Sequence, residues 1–274
     1  MRSAAGERTL RLMRALVLAL AFLALGASPA AAERYAMEFR GAVFGVVGLG
    51  RATLDLDVEP DRYRAVAQIR SGGLLELFER TRLRAESEGG VSDAGVTWRR
   101  YSLDHHYSRK HRAILMERTE AGLTSTITPT YRLWGQPPAS EAQRLASRDP
   151  LSSLIAMGVD VARTQRCASD YLVFDGRFHY RLELRGGQRR RVDDSGYDGP
   201  ALRCRLRYIP VAGFEPSDGG RRNRIPEGEI WFALIDGALF APPVRAETPL
   251  PLGSAGLRLT RFSRPVVNVA AAAN

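Results

Sequence analysis

The residues best suited to metal chemistry are three histidines in the stretch D-H-H-Y-S-R-K-H, His105, His106 and His111, which follow Asp104. Imidazole nitrogens and a carboxylate are ligands for Zn²⁺ and related transition metals. Adjacent residues on a strand point to opposite faces, so His105 and His106 do not converge by themselves. Basic neighbours would also repel a cation: Arg109, Lys110 and Arg112. We therefore predict a solvated strand and turn, with no metal and no cofactor, and retain the histidines only as candidate ligands.

Four carboxylates alternate along another stretch: Asp55, Asp57, Glu59 and Asp61. Calcium ligands usually converge from a tight loop, whereas residues at every second position lie along a strand, so we predict a hydrated strand face. The chain has no G-x-S-x-G or H-E-x-x-H motif, and the Ser152-Ser153 pair has no histidine near it in sequence. We assign no catalytic residue, and a hydrolase whose triad assembles only in the fold stays open.

Basic residues outnumber acidic ones by 40 to 30, and the formal net charge is +10. Lys110 is the only lysine, so the excess is almost entirely arginine, which GC-rich codon usage produces without selection for binding. The arginine runs at 189–191 and 221–224 lack the interleaved aromatic residues of a nucleic-acid platform. We expect no nucleic-acid partner, and phosphate-bearing lipid is the better candidate ligand for these arginines.

The first 32 residues have the pattern of a cleaved secretory signal peptide. Four arginines precede an apolar run over 15–25, which is too short to span a bilayer and is followed by an A-x-A site at 30–32. No paired arginine and no nearby cysteine accompany it, which disfavours twin-arginine export and lipid anchoring. We predict a Sec-type secretory signal peptide that is cleaved before Glu33. The mature chain, predicted not to span a membrane, then has one β-rich domain over 33–264 and a frayed tail over 265–274.

Cys167 and Cys204 are the only cysteines. In an exported protein an even pair is normally oxidised, and no C-x-x-C motif indicates a redox site. We predict a disulfide between them, which would contribute about 3–4 kcal/mol to stability in the chain-entropy model.

Apolar residues recur at every second position through most of the chain, which predicts antiparallel strands with one buried face. The clearest pattern lies over 171–185, where the D-G dipeptide at 175–176 predicts a two-residue hairpin turn that sets Val173 opposite Arg177 or Phe178.

Other stretches are marked by glycine and polar residues. A second D-G turn is predicted at 236–237, and the polar residues of 186–200 predict a loop. The glycines of 41–50 predict bulges where a sheet curls, since the segment lacks the Gly-Lys-Ser/Thr ending of a nucleotide loop.

One amphipathic helix is predicted after Asp149, which is a favourable N-cap residue, with Pro150 at the first helical position. Its apolar residues fall on one face at helical spacing: Leu151, Leu154, Ile155, Val159 and Ala162. We expect this face to pack on the concave side of the sheet.

Several short motifs follow one another along the chain: G-L-G-R-A-T-L, S-G-G-L-L-E-L-F, D-P-L-S-S-L-I, V-F-D-G-R, E-I-W-F-A-L-I-D-G and P-P-V-R. Together with the signal peptide, they make nearly all of the mature chain resemble the domain-of-unknown-function 3108 family of exported Gram-negative envelope proteins. The resemblance implies no assigned activity and no catalytic residues. It implies a mainly β fold with a large curved antiparallel sheet, a half-barrel, barrel or β-spiral, packed on one helix and loosely similar to periplasmic lipoprotein carriers.

We therefore predict a non-enzymatic periplasmic protein that binds a partner in the concavity of the sheet. The partner is either an amphipathic ligand, such as envelope lipid or a lipoprotein-like group, or a periplasmic or outer-membrane protein. A structural or interaction module without a small ligand is the second hypothesis, and a hydrolase of envelope polymers is the third.

Overall fold

A computed structural model describes residues 32–73, 76, 80–215, 225–251, 253–264 and 266–267. The predicted signal peptide up to residue 31, most of the segment 74–79, the arginine run at 221–224 and most of the predicted tail lie outside the described residues.

The described chain contains fifteen strands and two helices. The strands are β1 (Ala32–Val43), β2 (Val47–Val58), β3 (Arg62–Ser71), β4 (Thr81–Ser92), β5 (Gly95–Val96), β6 (Arg100–Tyr107), β7 (Lys110–Thr119), β8 (Gly122–Thr128), β9 (Ser169–Phe174), β10 (His179–Asp194), β11 (Tyr197–Ala212), β12 (Gly228–Ala233), β13 (Pro243–Pro249), β14 (Ser254–Ser263) and β15 (Val266–Val267). The helices are α1 (Glu141–Ala146) and α2 (Pro150–Thr164).

The strands form because polar and apolar residues alternate along them. In β1, every second residue from Glu33 to Gly41 is buried, whereas Arg34, Glu38 and Arg40 between them are exposed. The buried face carries the core side chains and is called the inner face below. The other face is called the outer face.

One hydrogen-bonded path joins the strands in the order β8-β7-β6-β4-β3-β2-β1-β14-β13-β12-β11-β10-β9, with β5 paired to β4 and β15 to β1. Neighbours on the path are antiparallel. The path ends at β8 and β9, so the sheet does not close into a barrel. The predicted fold class, mainly β with one large antiparallel sheet, is confirmed. The short strand β15 lies within the stretch that the sequence predicts to fray.

The turn between β9 and β10 is displaced by one residue from the predicted D-G position. The Asp175 carboxylate accepts hydrogen bonds from the N–H groups of Arg177 (2.9 Å) and Phe178 (2.7 Å), so the aspartate takes the first position of the turn. Val173 consequently pairs with Tyr180 instead of Arg177 or Phe178. Because the partner has moved by two residues relative to Phe178, each side chain keeps its predicted face.

The stretch 186–200, predicted as a loop, is instead the end of the long β10–β11 hairpin, in which Asp194 pairs with Tyr197. A bulge at Gly186–Gln188 separates this end from the core part of the hairpin, and Gly186 and Gly187 both have positive φ there. Residues 186–191 are exposed, and only Val192 of the part of β10 after the bulge is buried, so the sequence shows no apolar alternation there.

Helix α2 begins as predicted. The Asp149 carboxylate caps it by accepting hydrogen bonds from the N–H groups of Leu151 and Ser152, both at 2.9 Å. Its burial is wider than one apolar face, because β3, β4, β5 and β9 all pack against it. The buried residues are Leu151, Ser152, Ser153, Ile155, Ala156, Met157, Gly158, Val159 and Val161.

The short helix α1 was not predicted. Ser140 caps it through a reciprocal pair of hydrogen bonds with Gln143, and none of its residues is buried.

Within the part of the chain that the structure describes, no helix is both long enough and apolar enough to cross a membrane.

Cys167 and Cys204 are joined by a disulfide, with their Cα atoms 5.7 Å apart. Both residues are buried. Cys204 lies in β11 and Cys167 lies just before β9, so the bond ties the segment after α2 to the sheet.

Candidate ligand-binding groove

An open groove with a volume of about 550 Å³ lies on the inner face of the sheet. Residues of β2 and β3 line one side of it, and residues of β10 and β11 line the other. Strands β3 and β10 are separated by six other strands along the hydrogen-bonded path. They can share one groove only because the sheet curls toward itself.

The lining of the groove is mainly apolar: Leu49, Ala52, Ile69, Leu182, Leu206, Tyr208, Ile225, Pro226, Ala246, Ala255 and Leu257. Three of these, Ile69, Ile225 and Leu257, are 43%, 49% and 39% exposed. Large apolar side chains left accessible together on a concave surface are typical of a binding site.

Glycines keep the groove open by adding no side chain to its wall. At Gly50, φ is +152°, and a Cβ would lie 2.2 Å from the carbonyl oxygen of Arg70 on β3. No other residue fits there without moving the backbone. The sequence-based prediction that the glycines of 41–50 mark bulges is confirmed by the register shift between Gly41 and Ala42.

Two carboxylates at the rim, Glu229 and Glu247, lie directly opposite each other on β12 and β13. Arg203 binds Glu229 through two hydrogen bonds of 2.5 and 2.8 Å, and Arg258 lies 3.5 Å from Glu247. Paired carboxylates are a feature of glycoside hydrolases, in which the general acid has a raised pKa. Here the hydrogen bond from Arg203 lowers the pKa of Glu229. The pair is therefore a neutralised part of the rim and is poorly suited to acid catalysis.

Arg51 and Arg70 border the groove from β2 and β3, where they form a direct cross-strand pair. Among the described residues, neither has a carboxylate within ion-pair distance. Their register places both side chains on the outer face beside the groove, whereas their neighbours Ala52 and Ile69 line it from the inner face.

The structure brings two of the three candidate histidines together with Asp104. His106 and His111 pair directly across β6 and β7, and their parallel rings are 4.1 Å apart. The Nε2 atoms of His106 and His111 lie 2.9 and 2.8 Å from the Asp104 carboxylate oxygens. His105 lies on the other face, where its ring contacts that of Tyr107 at 4.7 Å.

The donor atoms of Asp104, His106 and His111 lie within 4.8 Å of one another, so after small rotations they could reach one metal ion. Their surroundings are unfavourable for a cation, because Arg82 pairs directly with His106 from β4. The hydrogen bond from His111 lowers the pKa of Asp104, so this carboxylate is already charged and occupied. The absence of a metal site stays a prediction.

In the described structure, one serine, Ser147, contacts a histidine, His179, and both residues are buried. The Ser147 Oγ lies 3.0 Å from the His179 Nδ1 and donates a hydrogen bond to the Gln143 carbonyl at 2.6 Å. Burial lowers the pKa of His179. Ser147 and His179 are 1% and 3% exposed, so a substrate cannot reach them. The Ser152-Ser153 pair donates instead to the backbone carbonyl of Asp149.

Of the four alternating carboxylates, Asp55 and Asp57 lie on the outer face of β2, whereas Glu59 and Asp61 lie in the connection to β3. Asp57 binds Arg34, and Glu59 binds Arg62, both at 2.7 Å. In the run at 189–191, Arg191 binds Asp198 at the outer end of the β10–β11 hairpin. None of these residues lines the groove.

No protein-family model and no curated protein matches the chain. Among solved structures, the fold is similar to a crystal structure described as a β-barrel-like protein of domain of unknown function 1849 from Brucella abortus. The two chains are 8% identical, the match covers 85% of this chain and 97% of that one, and the TM-score is 0.49.

Proposed function

We propose that this protein is a non-enzymatic binding protein that holds an amphipathic ligand, such as an envelope lipid, in the groove. The observation that carries the proposal is the cluster of accessible apolar side chains on the walls of a curled sheet. The volume of about 550 Å³ falls within the range of about 300–1,000 Å³ that is usual for ligand sites.

The lining fits an acyl chain. Leu182, Leu206 and Leu257 offer aliphatic surface to such a chain. Each methylene that moves from water onto such a surface contributes about 0.8 kcal/mol, so one chain supplies several kilocalories of binding energy.

A head group at the mouth of the groove would lie next to arginines of the adjacent outer face. Glu229 and Glu247 are held by arginines of the protein, whereas Arg51 and Arg70 have no such partner in the described chain. A guanidinium binds phosphate or carboxylate oxygens through charge-assisted hydrogen bonds. An acyl chain with a phosphate or carboxylate head therefore matches both parts of the site.

We further propose that the chain is exported to the periplasm by a Sec-type signal peptide and that it belongs with the domain-of-unknown-function 3108 proteins. The Cys167–Cys204 disulfide supports an oxidising compartment. Envelope lipid is the most abundant amphipathic ligand that an exported protein would meet there.

Lipid extraction and mass spectrometry of protein purified from a native periplasm would test the proposal. Ile69→Trp adds a bulky side chain within the groove, whereas Val66→Trp adds the same side chain to the outer face of the same strand. We expect lipid to copurify with the wild type and with Val66→Trp, and to be lost from Ile69→Trp. No lipid enrichment over an unrelated periplasmic protein would contradict the proposal.

A further inference from the structure

Four arginines lie side by side on the outer face of the sheet. Arg40 of β1 pairs directly with Arg51 of β2, Arg51 with Arg70 of β3, and Arg70 with Arg82 of β4. Directly paired residues point to the same face, and neighbouring strands are about 4.8 Å apart, so the four positions span about 15 Å. All four residues are exposed. We call them the arginine row.

The arginine row has no counter-charge within the described part of the chain. Acids on the same face bind other arginines instead: Glu38 binds Arg261, and Glu86 binds Arg84, both at 2.8 Å. Like charges directly opposite on neighbouring strands destabilise a sheet. The folded chain therefore gains nothing from the row by itself, and its charge is available to an anion that spans several strands.

Apolar side chains project from the turns next to the row. Phe44 and Val46, in the β1–β2 turn, are 53% and 83% exposed, and Leu250, after β13, is 37% exposed. The Phe44 N–H donates to the Ser254 carbonyl at 2.8 Å, so the β1–β2 and β13–β14 turns lie together. Val46 also lines one surface hollow with three members of the row. We call Phe44, Val46 and Leu250 the apolar tip.

We infer that the arginine row and the apolar tip form a surface that docks on an anionic lipid membrane. Lipid phosphates supply a continuous array of negative charge for the row, and exposed apolar side chains enter the boundary between head groups and acyl chains. Arg51 and Arg70 leave the outer face at the same end of β2 and β3 at which Ala52 and Ile69 line the groove from the inner face. Docking of this end therefore brings the mouth of the groove close to the membrane. The inference deepens the proposed function and rests on it for what the docked protein takes up.

Cosedimentation with vesicles tests the docking surface. We expect wild-type protein to bind vesicles of phosphatidylcholine mixed with phosphatidylglycerol, and not vesicles of phosphatidylcholine alone. The variant Arg40→Gln/Arg51→Gln/Arg70→Gln should bind the mixed vesicles on the order of a hundredfold more weakly, since each arginine near an anionic surface contributes roughly fivefold. Replacing Phe44 and Val46 by serine should also weaken binding, because it removes the apolar insertion.

A matched control separates the row from net charge. Arg64→Gln/Arg99→Gln/Arg100→Gln removes the same charge, but from exposed arginines that already bind carboxylates: Glu86, Glu88 and Glu117. We expect this variant to bind mixed vesicles nearly as well as the wild type. Urea denaturation should show that the row variant is at least as stable as the wild type, because it removes like-charge repulsion.

Three outcomes would overturn the docking surface. One is equal loss of binding in both triple variants, which would mean that only net charge matters. Another is no binding to mixed vesicles at all, and the third is an unaffected row variant. Saturable binding of inorganic phosphate without vesicle binding would assign the row to a free anion instead. Ile69→Trp should still bind vesicles, so a failed docking test and an absent groove ligand are distinguishable.

Discussion

The same strands have a filled end and an open end. Leu56 of β2 and Tyr63 of β3 lie on the inner face and are 1% and 3% exposed, whereas Ile69, on the same face of β3, is 43% exposed. At the filled end, the Tyr63 hydroxyl is 3.0 Å from the Ser87 Oγ, which donates to the Asp149 carboxylate at the start of α2. Helix α2 thus covers the inner face at the filled end, whereas at the open end the same face lines the groove.

This difference shows what the alternation of residues specifies. The inner face is apolar at both ends, so the two-residue period determines which face is buried or bound. Whether helix, loop or ligand covers that face depends on distant segments. The filled end is predicted to carry the stability of the protein, and the open end its function.

Removing an apolar side chain should lower the free energy of unfolding much more at the filled end than at the open end. Leu56→Ala leaves a cavity in the filled end and should lower the free energy of unfolding by about 2–5 kcal/mol. Ile69→Ala removes a side chain that is already accessible and should cost less than about 1 kcal/mol. Urea denaturation of delipidated protein measures both. Equal costs would mean that the open end is as tightly packed as the filled one.

Gly158, in the middle of α2, tests how closely the filled end is packed. A Cβ at this position would lie 2.0 Å from the Cε2 atom of Phe240 and 2.8 Å from the Ala241 carbonyl oxygen. Gly158→Ala should therefore destabilise the protein by about 1–3 kcal/mol. Without the clash, alanine would stabilise the helix by about 1 kcal/mol relative to glycine.

The double variant with Phe240→Ala is the control for this prediction. Once the ring is gone, the further cost of Gly158→Ala should be smaller, because the two side chains compete for one space; the contact with the Ala241 carbonyl oxygen remains. Strictly additive costs in thermal or urea denaturation would argue against the clash.

Asp149 should make the filled end sensitive to pH, with a smaller effect. Burial raises the pKa of Asp149 to about 6, against about 3.9 in an unfolded chain. Between these values the folded protein binds more protons, so the contribution of Asp149 to stability falls as the pH rises.

Asp149→Asn retains an N-cap oxygen and cannot ionise. Relative to this variant, the wild type should lose stability between about pH 4 and pH 6. Denaturation midpoints across that range measure the difference. A wild type that gains stability relative to the variant would reverse the sign and contradict the prediction.

The fold could be predicted to a large extent because its signals are local. The alternation gives the strands, and Asp149 followed by proline gives the start of α2. Helix α1 was missed because it is six residues long and none of its residues is buried, so it has no apolar periodicity. The predicted β9–β10 register is wrong because the Asp175 side chain, and not the D-G pair, determines the turn.

The groove and the arginine row could not be predicted because both depend on strand order. Ile69 and Leu182 fall in ordinary alternation, and only the curl of the sheet brings β3 near β10. Arg40, Arg51 and Arg70 are unremarkable singly and become a row only through the register of neighbouring strands. The histidine cluster could be predicted only in part. The separation of His105 from His106 follows from strand geometry, whereas the pairing of His106 with His111 requires the β6–β7 register.

Fluorescence titration of delipidated protein with cis-parinaric acid, a fatty acid that becomes fluorescent in apolar surroundings, tests the groove most directly. We expect saturable binding at one site per chain for the wild type and for Val66→Trp, and none for Ile69→Trp. A wild type without saturable binding, or two tryptophan variants that bind equally well, would contradict the assignment of the open end as a ligand site.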